Sequence, residues 1–423
     1  GNDTVTFTAG SNTVNATIGA GATLNAGDRL TGGSGTDTLS ISGSGSFDLN
    51  TLATFTGFEN INLTGTAQSL TLKNGQNLTV NAGSGNSVTL GTGNDTVAFT
   101  GGSNTVNATI GSGAALNSGD RLTGGSGTDT LSISGSGSFD LNSLAAFTAF
   151  ENVKLGTGES LTLKNGQNLS VSGSGGNTVT LGTGIDTVAF SGGTNTVNAT
   201  IGAGATLNGG DKLSGGFFSD LLVISGSGSF DLNSLATFTG FENVSLTGAG
   251  KSLTLKNGQN LTVNGGSGNT VTLGTGNDTI TFFSGANAVN AAIGTGATLN
   301  AGDGLTGGSG TDTLSTSGSG SFDLNSLATF TGFENVNLTG IGESLTLKNG
   351  QNLTVSGGSG NTVILGTGND TVAFTGGSNA VNATIGSGAT LNSGDRLTGG
   401  SGTDTLSISG SGSFDLNTLA AFT

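Results

Sequence analysis

Self-similarity is what most constrains this chain. The run Gly-x-Asp-Thr-Val/Ile at Gly1 returns at Gly93, Gly184, Gly276 and Gly368, dividing 423 residues into units 1–92, 93–183, 184–275 and 276–367 and a partial unit 368–423. A chain of near-identical pieces has to stack them, each covering its apolar face with a neighbour, so stability becomes a nearest-neighbour sum. The one missing residue of the second unit falls between Leu155 and Leu161, and register returns at once, so a loop absorbs it.

Each unit contains a stretch like residues 119–131. Residues 124–132 read Gly-Gly-x-Gly-x-Asp-x-apolar-x, and Asp120 and Leu122 stand nine positions ahead of Asp129 and Leu131. Glycine admits positive φ in a tight turn, and the apolar residue opens a short buried strand. Leu78, Val88, Val97 and Val106 continue the rhythm at ten, nine and nine residues, flanked by Thr, Asn and Ala. This spacing predicts an all-β chain, a β-solenoid of the parallel β-roll or β-helix type. Disorder is the competing reading for 83 Gly and 9% charged residues, but 32% of the residues are apolar and recur in register. The absence of Pro suits unbroken ladders. In residues 139–147 the nine-residue rhythm gives way to Leu141, Leu144 and Phe147, which predicts one short helix per unit capped by Asp140. With about nine residues per side, a unit makes about five two-sided coils and advances about 24 Å, for a rod of about 110 Å.

Four Asp positions recur in every unit, the partial one included, shown by Asp3, Asp28, Asp37 and Asp48, and by Asp95, Asp120, Asp129 and Asp140; together they account for all the Asp. Carboxylates and turn carbonyls are the hard oxygens that calcium takes. Asp3, Asp37, Asp95, Asp120, Asp129, Asp186, Asp278, Asp312, Asp370 and Asp404 are therefore the candidate calcium ligands, while Asp140 reads as a cap. Asp also serves as an ordinary turn former, and the Asp95 position is echoed by the uncharged Asn104.

Gly-Gly-Ser-Gly-Thr-Asp-Thr-Leu and Leu-Gly-Thr-Gly-Asn-Asp-Thr-Val resemble the nonapeptides of the repeats-in-toxin (hemolysin-type calcium-binding) family, and those of related bacterial S-layer and giant adhesin repeats. The motif covers about a third of each unit. The resemblance implies a calcium-stabilised β-roll, type I secretion from a bacterium, and an extracellular or cell-surface location. It also implies calcium between motifs roughly 18 residues apart. Eighteen before Asp129 stands Gly111, and eighteen before Asp95 stands Asn77, so the stacked carboxylates of that cage are missing at this spacing. Leu90 replaces the first motif Gly ahead of Asp95, and Phe217-Phe218 replaces the turn Gly ahead of Asp220.

The formal charge of −16 is spread along the chain without clustered Lys or Arg, which excludes nucleic acid and favours cations as partners. No apolar run is long enough to span a bilayer. Without Trp or Tyr, stacking on sugars loses its usual platform, although cell-surface polysaccharide stays open as a partner. Thr-x-Thr runs such as Thr4-Val5-Thr6 read as strand filler because no Thr pair holds from turn to turn. There is no His, Cys or Tyr to act as base or nucleophile, and the Glu of Phe-Glu-Asn at Glu59, Glu151, Glu242 and Glu334 stands alone, so the chain is expected not to be an enzyme.

The expected function is structural: a solenoid in a filament or surface layer. The alternatives are the spacer or binding region of a large adhesin and a β-helical polysaccharide-active enzyme. Both ends fall inside a unit, which suggests a segment of a longer array, or a piece that pairs end to end with copies of itself.

Overall fold

Strand formation follows from alternation. In Thr105–Gly111 the side chains of Val106, Ala108 and Ile110 are buried while Thr105, Asn107 and Thr109 face outward, the period-two pattern of a strand packed on one side. The computed structural model describes residues 1–423, and it divides into two compact units: residues 1–198 with 206–220, and residues 199–205 with 221–423. Each is a parallel β-solenoid, in which a strand pairs with the strands one coil before and after it.

Register places like residues on like. In the first unit Leu70, Val88, Val106, Leu131, Val153, Val171, Val188 and Leu213 form one apolar column. In the second the column runs Phe230, Leu253, Val271, Val289, Leu314, Val336, Val355, Val372 and Leu397. Each such side chain leaves water against its two neighbours, worth about 1.5–3 kcal/mol.

Coil length is not constant. Thr13 pairs with Thr38, Thr38 with Asn60, Asn60 with Thr79 and Thr79 with Thr96, giving coils of 25, 22, 19 and 17 residues. The next strand, Thr105–Gly111, is the counterpart of Thr13–Ile18 but lies on the opposite sheet, pairing with Ser87–Thr89. The sequence period therefore closes after four and a half coils, not five, and equivalent strands of the first two repeats occupy opposite faces.

The wide coils arise where Thr130–Asp140 bends at Gly135, φ 104°. Its first half pairs with Asn152–Leu155 and its second with Glu159–Thr162. The helix expected after Asp140 shrinks to a single 3₁₀ turn, Leu141–Ser143, with the Asp140 side chain accepting from the Asn142 N–H. Leu144 and Phe147 are buried for other reasons: Leu144 ends the turn and Phe147 lies in the strand Ala146–Thr148. No strand covers Ala146–Thr148 on its next coil. Instead Gln167 Nε2 donates to the Phe147 carbonyl at 2.6 Å, and Phe147 stacks on Phe150 with ring centroids 5.0 Å apart.

Candidate functional site

The Asp residues stand at the corners, and most of them point inward. Of 26 acidic residues, thirteen Asp and two Glu are buried, so the charge counted from sequence is largely not surface charge. A buried carboxylate needs donors, and here the backbone supplies them along two ladders.

On the first corner, Asp95 Oδ1 accepts from the Leu78 N–H at 3.0 Å and Oδ2 from the Gly91 N–H at 3.1 Å. The N–H of Asp95 in turn donates to Asp120 Oδ1 at 2.7 Å, and Asp120 Oδ2 accepts from Asn117. Asp186 with Asp211, Asp278 with Asp303 and Asp370 with Asp395 repeat the pair, and the exposed Asp3 donates its N–H to Asp28 in the same way. Burial pushes Asp95, Asp186, Asp278 and Asp370 up to about 6; the N–H donors oppose the rise, and the partner Asp adds to it. Asp120 is also raised by burial.

The second corner carries a longer ladder, in which each N–H donates to the side-chain oxygen one coil on. Gln68 donates to Asn86, Asn86 to Asn104, Asn104 to Asp129 and Asp129 to Glu151, at 3.0, 3.0, 2.9 and 2.8 Å. Asp129 Oδ1 also accepts from Asn104 Nδ2. Asp37, Asp312 and Asp404 take the same place above Asn12, Asn287 and Asn379. Burial raises Asp129 and Asp312, with the facing Glu151 and Glu334 adding to it.

Two sequence expectations change here. The coil beneath Asp129 is 25 residues long, not 18, so Asp129 stands over Asn104 rather than Gly111. For the same reason Asp120 stands over Asp95, and carboxylates do stack after all. The stacked pair is spent on backbone N–H groups. Among the candidate ligands only Asp37, Asp129 and Asp312 keep an oxygen, Oδ2, that is buried without a hydrogen-bond partner. No three His, Cys, Asp or Glu side chains gather to hold a metal, which falls short of the six to eight oxygens of a calcium shell.

At Asp220 the divergent turn supplies what the others lack: the Gly216 N–H donates to Oδ2 at 2.6 Å. The ladder Asn and Gln residues were missed as functional positions; their signal was the Asn104 echo of Asp95 and the Phe-Glu-Asn glutamates. Exposed apolar side chains include Ile185, Phe217 and Phe218 in the first unit and Phe283, Ile341, Ile408 and Phe422 in the second. No protein-family model, curated protein or solved structure matches the chain.

Proposed function

We propose that this chain is a non-catalytic structural element of an extracellular bacterial filament or surface layer. The observation that carries this reading is the use made of the polar side chains. The buried Asp, Asn and Gln residues accept from or donate to the backbone of the neighbouring coil, joining coil to coil instead of converging on a substrate. Repetition supports it too, since an active site needs one specialised place and a stacking element needs many equal ones. Further copies of the chain are the proposed partners, stacking as the coils do. Electron microscopy of the purified chain over a concentration series tests this: filaments or ordered sheets are expected, and dispersed single particles at every concentration would sink it.

Calcium enters this proposal only at Asp37, Asp129 and Asp312, where one carboxylate oxygen lacks a donor. A rise in melting temperature in millimolar calcium over excess chelator, abolished when all three are changed to Asn, is the expected mark of such an ion. A second reading, the spacer or binding region of an adhesin, is favoured by Phe217, which is 93% exposed at a turn tip. Loss of surface binding in Phe217→Ser, with unchanged assembly, would select that reading.

A further inference from the structure

The first residue of the strand after Phe-Glu-Asn is Gln68, Glu159, Lys251 and Glu343 in the four complete repeats. One buried slot is thus filled by an amide, two acids and an amine. Every occupant starts a corner ladder, its N–H donating to Oδ1 of Asn86, Asn177, Asn269 or Asn361.

What the slot asks of a side chain is legible at Gln68. Its Oε1 accepts from the Gly65 N–H at 3.1 Å, and its Nε2 donates to the Ile41 carbonyl at 3.0 Å. The slot offers one donor and one acceptor, which an amide satisfies and an ionised carboxylate, being all acceptor, does not. Lys251 finds another acceptor in the same corner, its Nζ donating to the Thr247 carbonyl. Glu343 has a partly compensating change: Thr316 stands where the other repeats have Ile41, Ile133 and Ile224, and its Oγ1 donates to Glu343 Oε2 at 3.2 Å, although Oε1 is buried without a partner and burial raises this carboxyl too. Glu159 has none. Ile133, which has no hydroxyl, stands opposite; the corner is one residue shorter, with the Gly156 N–H donating to the Ile133 carbonyl as the Thr64 N–H does to that of Ile41, and Glu159 Oε2 is buried without a partner.

We propose that Glu159 holds its corner as a neutral carboxylic acid, its proton replacing the Nε2–H of Gln68, and that losing this proton as pH rises loosens residues 155–162 first. Burial raises the Glu159 carboxyl above the ordinary glutamate range, opposed only by the N–H groups of Glu159 and Thr157. The flanking elements add no buried charge. On the strand below, Asp140 is exposed and lies opposite Thr162; on the preceding strand Lys154 is exposed, as is Glu151 before it; the strand above, Thr178–Thr180, carries none. An anion there, its Oε2 lacking a donor, regains hydration only by opening the corner.

The sign follows from linkage. The folded corner binds the proton more tightly than the open one, so opening grows by up to about tenfold per pH unit between the ordinary glutamate range and the raised value, then levels off. Hydrogen exchange of the full chain between pH 4 and 8, corrected for intrinsic base catalysis, reads this directly, with residues 63–71 around Gln68 as the internal reference. Protection of 155–162 relative to 63–71 is expected to fall as pH rises above the ordinary glutamate range in the native chain, and to stay flat in Glu159→Gln. Gln68→Glu should transfer the pH dependence to 63–71. A constant ratio in the native chain, or an undiminished fall in Glu159→Gln, overturns the proposal.

Discussion

Asp95 and Asp37 bring the same side chain to similar corners and use it differently. Both oxygens of Asp95 accept backbone N–H groups, whereas Asp37 Oδ1 takes two bonds from Asn12 and Oδ2 takes none. An amide at position 95 sets its NH₂ against one of those N–H donors and leaves it unpaired, so Asp95→Asn should cost about 1–3 kcal/mol. At Asp37 the amide keeps Oδ1 and turns Nδ2 toward the Gly57 carbonyl, which with Oδ2 crowds the place of the Cβ that Gly32 lacks. Asp37→Asn should be neutral or stabilising in the absence of calcium. Urea denaturation of the two variants beside the native chain checks the contrast, and equal losses would refute it.

At the scale of the element, corners decide what the strands can do. Thr105–Gly111 ends at Gly111, φ 92°, where an added Cβ would lie 1.9 Å from the Ser136 carbonyl oxygen. Gly113, φ 69°, has open space around it. Gly111→Ala meets both strain and a backbone clash and should destabilise by more than about 1 kcal/mol, while Gly113→Asn should cost less than about 1 kcal/mol because Asn tolerates the left-handed region. Thermal melts of the two variants distinguish a clash with the next coil from a mere backbone preference. The 3₁₀ turn at Leu141–Ser143 is short because the strand Ala146–Thr148 follows almost at once. A three-residue apolar spacing therefore marked a turn and the strand after it, each placing a side chain inside.

For the molecule as a whole, acid-base behaviour follows from where the carboxylates lie. Asp95, Asp186, Asp278 and Asp370 are held up to about 6 by burial, so the folded chain binds protons more tightly than the unfolded one in this range. That contribution is fully present below the ordinary Asp value near 4 and is lost as pH rises through about 6. The melting temperature should be higher at pH 5 than at pH 7.5, and an equal or reversed order would show that the N–H donors outweigh desolvation. Low pH thus strengthens contacts between coils, the opposite of acid denaturation driven by surface ion pairs.

The parallel solenoid was legible in the chain because it rests on local rules. Glycine sets turns, alternation sets strands, and a repeat must stack on its neighbour; Val106, Leu131 and Gly125 obey those rules wherever the rest of the chain lies. The number of residues per coil was not legible. Nine-residue spacing suggested coils of 18, but whether Asp129 stands over Gly111 or Asn104 depends on how many corner residues the bend at Gly135 and the Phe147–Phe150 stack draw into one circuit. That choice decided which carboxylates meet, which are spent on backbone N–H groups, and which slot leaves Oε2 of Glu159 without a donor. Sequence alone determined the period of the chain, since the period is a property of neighbours along it. The partners across coils were fixed only by the tertiary structure, because a change of a few residues in circumference moves every side chain onto a different neighbour.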